Sequence, residues 1–98
     1  MPRNKPWTDL ENDQIVSAYF RLNNLIKREG ANLSKFIREF KENNQFSRSE
    51  RAIEMKFQNI SAVLDEINEP YIDSYKPLSN YQSILRLKVL EKISKDKS

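Results

Sequence analysis

The sequence predicts an all-α fold in which four helices form one small bundle. Apolar residues recur at three- and four-residue spacing in four separate segments, which is the period of a helix with one buried face. No segment shows the alternation of apolar and polar residues that is typical of a β-strand. The chain has 98 residues and a single glycine, and this length suits one domain with one hydrophobic core. We therefore expect a single helical domain over residues 1–98.

The first helix is predicted over about residues 8–28. Thr8 and Glu11 have the spacing of a capping box, in which each side chain binds a backbone amide at the helix start. Gly30 stands where a helix commonly ends. The predicted apolar face consists of Ile15, Tyr19, Leu22 and Ile26.

A shorter second helix is predicted over about residues 33–44. Asn32 precedes it and is a residue type that caps helix starts. The polar run KENNQ follows its last apolar residue and ends it. Its apolar face follows the i, i+3, i+4, i+7 pattern of an amphipathic helix, with Leu33, Phe36, Ile37 and Phe40.

The third helix is predicted over about residues 49–67, with Ser47 or Ser49 as its N-cap. The segment 60–64 is apolar over most of its circumference, and a helix that is apolar all round is buried all round. We therefore expect the second half of this helix to be sandwiched and the first half to be exposed. A continuous apolar stripe joins the two halves through Ile53, Phe57, Ile60, Leu64 and Ile67.

A connector with two prolines is predicted over residues 68–78, and a fourth helix over about residues 79–94. Tyr71, Ile72 and Tyr75 give the connector large side chains, so we expect it to pack onto the core. Ser79 and Gln82 have the spacing of a capping box and suggest where the last helix starts.

The composition excludes most catalytic chemistry. The sequence contains neither His nor Cys, so it lacks the usual general base, a thiolate nucleophile and the commonest metal ligands. One glycine also excludes a P-loop and a dinucleotide fingerprint. We expect a binding protein that is not an enzyme and needs no metal or cofactor. Four acidic residues, Asp65, Glu66, Glu69 and Asp73, lack the order of an EF-hand and are interpreted as a solvated loop.

Location and charge add two expectations. No apolar run approaches the roughly 20 residues that cross a bilayer, so we expect a cytoplasmic protein with no membrane partner. The net charge is +3, which is small for a protein that binds nucleic acid on its own. If the domain contacts DNA, we expect it to supply part of an interface.

The exposed half of the third helix is the candidate site. Arginine, glutamine and asparagine can form paired hydrogen bonds with base edges, and the first turns of a recognition helix enter the major groove. The predicted DNA-contacting residues there are Arg48, Arg51, Lys56, Gln58 and Asn59, with phosphate contacts from Lys35, Arg38 and Lys41 on the second helix. An ordinary solvated helix face is the alternative interpretation of the same residues.

A second function remains open beside DNA binding. Exposed Met and Tyr side chains favour partner surfaces, so the chain is alternatively a docking or dimerisation module. The residues that suggest this are Met55 and Ala62 on the third helix, and Tyr71, Tyr75 and Tyr81 around the connector. The three tyrosines also have a purely structural interpretation, in which they pin the connector to the core.

Two resemblances bear on these alternatives. Trp7 and Thr8 before acidic residues, Arg48 and Ser49 at the start of the third helix, and an aromatic Phe57 further on resemble Myb-like domains. That resemblance implies a trihelical, helix-turn-helix-like core, here followed by a C-terminal helix. In Myb-like domains the third helix is the recognition helix.

The second resemblance covers most of the chain and is to the N-terminal head domain of ScoMcrA-like restriction endonucleases. These are modification-dependent enzymes with an HNH nuclease domain downstream. One departure is Ser74, where the family favours glycine. The matching residues are Trp7, Thr8, Glu11, Tyr19, Phe20, Arg48, Ser49, Ile53, Glu54, Lys56, the run 58–64, the run 75–77 and the run 80–82.

The resemblance implies a non-catalytic head module of a restriction or defence system. Its partners would be double-stranded DNA, with or without modified bases, and a nuclease module in cis or in trans. An HNH nuclease requires His, and this sequence has none.

Overall fold

The computed structural model describes residues 6–96. Over that range the chain forms four helices and no strand: α1 (Asp9–Glu29), α2 (Leu33–Asn44), α3 (Glu50–Glu66) and α4 (Ser83–Asp96). The predicted all-α bundle is therefore confirmed. Helices α1, α3 and α4 pack against one another, and α2 packs mainly on α3. A Myb-like core formed by the first three helices is not confirmed.

Local signals set the helix ends that the sequence predicted. Thr8 and Glu11 form the capping box, and Asn32 caps α2 by accepting a hydrogen bond from the amide of Lys35. Ser49 caps α3, so Ser47 is not the cap. Gly30 follows α1 with a φ of 78°, a left-handed value that glycine adopts without the strain a Cβ adds.

Residues 60–64 in the second half of α3 are buried on every side, as predicted, whereas Asp65 and Glu66 at the end of the helix are exposed. Ile60, Ser61, Ala62, Val63 and Leu64 are each no more than 2% exposed. Helices α1 and α4 both pack on α3, which explains why no side of this segment faces water. This helix is the centre of the core.

The connector is fixed to the core through the hydroxyl of Tyr19. That hydroxyl accepts a hydrogen bond from the amide of Ile72 at 2.8 Å and pairs with the hydroxyl of Ser61 at 2.9 Å. Ile72 and Tyr75 are 5% and 6% exposed. The prediction that the connector packs onto the core is confirmed.

Helix α4 begins at Ser83 rather than near Ser79, and it ends at Asp96 rather than near residue 94. The later start of α4 results from tertiary contacts between α3 and the segment before α4. The amide of Leu78 donates to the carbonyl of Gln58 at 3.1 Å, and the side-chain amide of Asn59 donates to the carbonyls of Leu78 and Asn80. These contacts with α3 hold residues 78–80 outside the helix.

Within residues 6–96, none of the helices combines the length and the hydropathy that crossing a bilayer requires.

Candidate nucleic-acid interface

The exposed basic residues of the predicted interface lie on α2 and at the start of α3. Lys35, Arg38 and Arg51 are exposed, and Lys41 is half-buried. Among the described residues, none of these four side chains forms a salt bridge or a hydrogen bond. They are therefore available to a negatively charged partner.

Arg48 is committed to contacts inside the protein, and the expectation that it lies on an exposed face was wrong. Its guanidinium binds both carboxylate oxygens of Glu11, with Nε 3.0 Å from Oε2 and Nη2 2.8 Å from Oε1. Nη2 also donates to the carbonyl of Pro6 at 2.9 Å, and the guanidinium lies 4.9 Å from the centre of the Trp7 ring. The arginine thus joins the chain before α1 to the turn before α3.

The ion pair with Arg48 changes the pKa of Glu11. The hydrogen bonds from Arg48 lower the pKa of Glu11 from 4.5 to about 2, and bonding to Thr8 contributes in the same direction. Burial acts in the opposite direction but is outweighed. Glu11 therefore serves two structural purposes, because it completes the capping box of α1 and holds Arg48.

Lys56 is buried at 8% exposure, which corrects the expectation that it faces solvent. Its ammonium donates to Oε1 of Gln82 at 3.3 Å and lies 5.1 Å from the centre of the Trp7 ring. Burial lowers the pKa of Lys56, and the neighbouring charge of Arg48 lowers it further, while Glu11 acts in the opposite direction. Lys56 therefore does not belong to the exposed basic surface.

The two amide residues predicted to contact base edges, Gln58 and Asn59 on α3, are not fully exposed either. Asn59 is 5% exposed and its amide holds the connector, so its predicted exposure was also wrong. Gln58 is half-buried. The exposed surface of the first half of α3 instead carries Arg51 and Met55 together with two acidic residues, Glu50 and Glu54.

Replacing Asn59 by alanine should lower the free energy of unfolding by about 1 to 3 kcal/mol, because two hydrogen bonds from its buried side chain to the carbonyls of Leu78 and Asn80 are lost. Urea unfolding followed by circular dichroism measures the change. Gln58→Ala on the same helix is the control, and it should cost less than about 0.5 kcal/mol because its side chain is not buried. Equal losses in both variants would contradict the anchoring of the connector by Asn59.

Glu66, the last residue of α3, contacts α4 and the segment that precedes it. Glu66 accepts from the Tyr81 hydroxyl at 2.6 Å and pairs with Arg86 at 2.9 Å. No cluster of residues suited to hold a metal ion occurs in the part of the chain that the structure describes.

The site thus consists of four available cations on α2 and the first turn of α3, beside an internal junction built from Trp7, Glu11, Arg48, Lys56 and Gln82. Sequence reasoning named Arg48 and Lys56 but placed them on the exposed face, and it named neither Glu11 nor Gln82 as their partners. Comparison of the chain with protein-family models, with curated proteins and with solved structures gives no match.

Proposed function

We propose that the chain is a non-catalytic DNA-association module that contacts the phosphate backbone of a duplex through α2 and the start of α3. One observation carries this proposal. Lys35, Arg38, Lys41 and Arg51 have no ionic partner among the described residues, and three of them are exposed. Cations without internal partners can replace the counterions of a phosphate backbone.

The burial of the other candidates determines what kind of binding to expect. Phosphate contacts position a protein on DNA, whereas contacts with base edges specify the sequence. Arg48, Lys56 and Asn59 are held inside the protein, so Arg51 and half-buried Gln58 are what remains of the predicted base-reading set. We therefore expect binding that depends strongly on salt and weakly on base sequence.

The salt dependence is the first test. Four phosphate contacts give a slope of log K against log salt of about −3.6, which corresponds to about a 150-fold loss of affinity between about 50 and 200 mM salt. Fluorescence anisotropy of a short labelled duplex measures the slope. The absence of binding at low salt would rule out the proposal.

Charge reversal locates the interface. The double variant Arg38→Glu and Arg51→Glu should bind at least about tenfold more weakly and lose about 2 units of slope. The matched control, Lys76→Glu with Lys95→Glu, makes the same change in net charge at exposed positions on the connector and α4. Equal weakening in both double variants would show that net charge alone, rather than this surface, determines binding.

We place this module in a restriction or defence system because of the resemblance to ScoMcrA-like head domains. The nuclease chemistry would then come from a module outside these 98 residues, since they contain no His. A nuclease encoded by the same or the neighbouring reading frame would support this context.

A protein-docking function is favoured by a different observation. Met55 is 45% exposed on α3, and Leu10 and Leu87 are 66% and 56% exposed on α1 and α4. Two other residues that suggested a partner surface, Ala62 and Tyr75, are buried at 2% and 6% exposure and belong to the core. Sedimentation at several concentrations tests self-association, which Met55→Lys should abolish if α3 forms the contact.

A further inference from the structure

The ammonium of Lys56 has fewer partners than its charge requires. A lysine ammonium has three N–H donors. Among the described residues it has one hydrogen-bond acceptor, the amide oxygen of Gln82 at 3.3 Å. The remaining contact is with the face of Trp7, which attracts the charge but accepts no conventional hydrogen bond. Lys56 is only 8% exposed, and within residues 6–96 two of its three N–H donors have no acceptor.

The charges around this ammonium do not balance. Lys56 and Arg48 carry two positive charges, and Glu11 supplies the one negative charge that acts on Lys56. Both oxygens of that carboxylate are already bound by Arg48. The chain before Pro6, with the sequence MPRNK, contains no carboxylate side chain. Among residues 6–96, Glu11 is thus the one negative charge shared by two positive charges.

The ammonium lies close to the protein surface. Trp7 and Gln82 contact it, the charge of Arg48 acts on it, and all three residues are half-buried rather than buried. A small ion that displaces part of this rim reaches the free N–H groups without entering the core. A buried charge is costly unless it is paired and hydrogen-bonded, and an anion satisfies both requirements.

We propose that Lys56, beneath the rim formed by Trp7, Arg48 and Gln82, is the binding site for one oxyanion of the phosphate class. The ammonium donates its two unused N–H groups to the oxygens of the anion, and Arg48 contributes positive potential. This site is distinct from the four cations of the proposed DNA surface, Lys35, Arg38, Lys41 and Arg51. The phosphate comes either from free inorganic phosphate or from a phosphate group of a nucleic acid.

Trp7 supplies the means of testing this proposal, since it is the sole tryptophan and lies beside the ammonium. Sodium phosphate is titrated into the full chain at constant ionic strength, with sodium chloride as the reference salt, and tryptophan fluorescence is recorded. We expect a saturable change in the wild type. In Lys56→Met, which keeps the aliphatic stem but loses the charge, the affinity for phosphate should fall at least about tenfold.

Lys76→Met is the matched control, because it removes an exposed lysine on the connector that forms no hydrogen bond or ring contact with Lys56, Trp7 or Gln82, and it should leave the titration unchanged. A wild-type response that matches chloride alone, or one that survives in Lys56→Met, overturns the proposal. Circular dichroism checks that Lys56→Met is folded. If Lys56→Met is not folded, the phosphate titration of the wild type is followed by the nitrogen–proton spectrum of the Gln82 side-chain amide. Absence of a chemical-shift change there would overturn the proposed site.

A duplex titration of the same variants separates the two sources of phosphate. Retained DNA affinity in Lys56→Met, with loss of the phosphate response, assigns the site to free phosphate. Loss of both assigns it to a phosphate group of the nucleic acid. The proposed DNA surface on α2 and α3 has its own test, the salt slope of the Arg38→Glu and Arg51→Glu double variant. Either proposal can therefore be overturned without the other.

Discussion

Replacing Tyr19 by alanine should lower the free energy of unfolding by about 3 to 5 kcal/mol, as for other large aromatic residues in a core. Tyr19 is fully buried and meets the rings of Phe57 and Phe20 edge to face, at 5.5 and 5.8 Å between centroids. Domains of this size have a total stability of only about 5 to 15 kcal/mol. The variant should therefore unfold at a much lower urea concentration, and it tests whether α1 and α3 share one core.

The conservative change Tyr19→Phe measures the contribution of the hydroxyl alone to the free energy of unfolding. It leaves the amide of Ile72 and the hydroxyl of Ser61 without their partner, which should cost about 1 to 3 kcal/mol. Tyr71→Phe on the half-buried face of the connector is the control, with an expected loss below about 0.5 kcal/mol. Wild-type stability of Tyr19→Phe would show that the hydroxyl does not fix the connector.

The elements that the sequence predicted correctly depend on local chemistry. The capping box of Thr8 and Glu11, the N-cap Asn32 and the glycine after α1 act within a few residues of one another, so they can be identified without knowing the fold. The start of α4 was wrong because Asn59 binds the segment before it from another helix. Ser79 has the residue type of a helix cap, but long-range contacts override that preference.

The candidate site was harder to predict for the same reason. Hydrophobic periodicity identifies the side of α3 that carries Phe57, but it cannot show that Trp7, the connector and α4 cover other sides. Lys56 and Asn59 are polar residues that these other elements bury, so periodicity alone placed them on an exposed face. The charges of Lys35, Arg38 and Arg51 were placed correctly as exposed because α2 is amphipathic and the start of α3 lies outside the sandwiched segment. Whether they bind DNA stays a prediction.

Replacing Arg48 by methionine should lower the free energy of unfolding at pH 7 by about 2 to 4 kcal/mol. Removing one partner of a buried ion pair costs about 3 to 5 kcal/mol. The Arg48 and Glu11 side chains are 14% and 19% exposed, so we place the loss slightly lower. The variant also loses the hydrogen bond to Pro6 and the contact with Trp7. Arg86→Met is the matched control, because its pair with Glu66 is 40% and 42% exposed and should contribute less than about 1 kcal/mol.

The pH dependence distinguishes the ion pair from simple packing of the arginine. Folding lowers the pKa of Glu11 from 4.5 to about 2, so the stabilisation is complete above pH 4.5 and is lost as the pH falls towards 2. The stability difference between wild type and Arg48→Met, measured by urea unfolding, should therefore be constant from pH 7 to about 5 and shrink below pH 4.5. Glu11→Gln should remove most of this pH dependence, since it cannot ionise. A difference that stays constant down to pH 2.5 would mean that Arg48 stabilises the junction by stacking on Trp7 rather than by its charge.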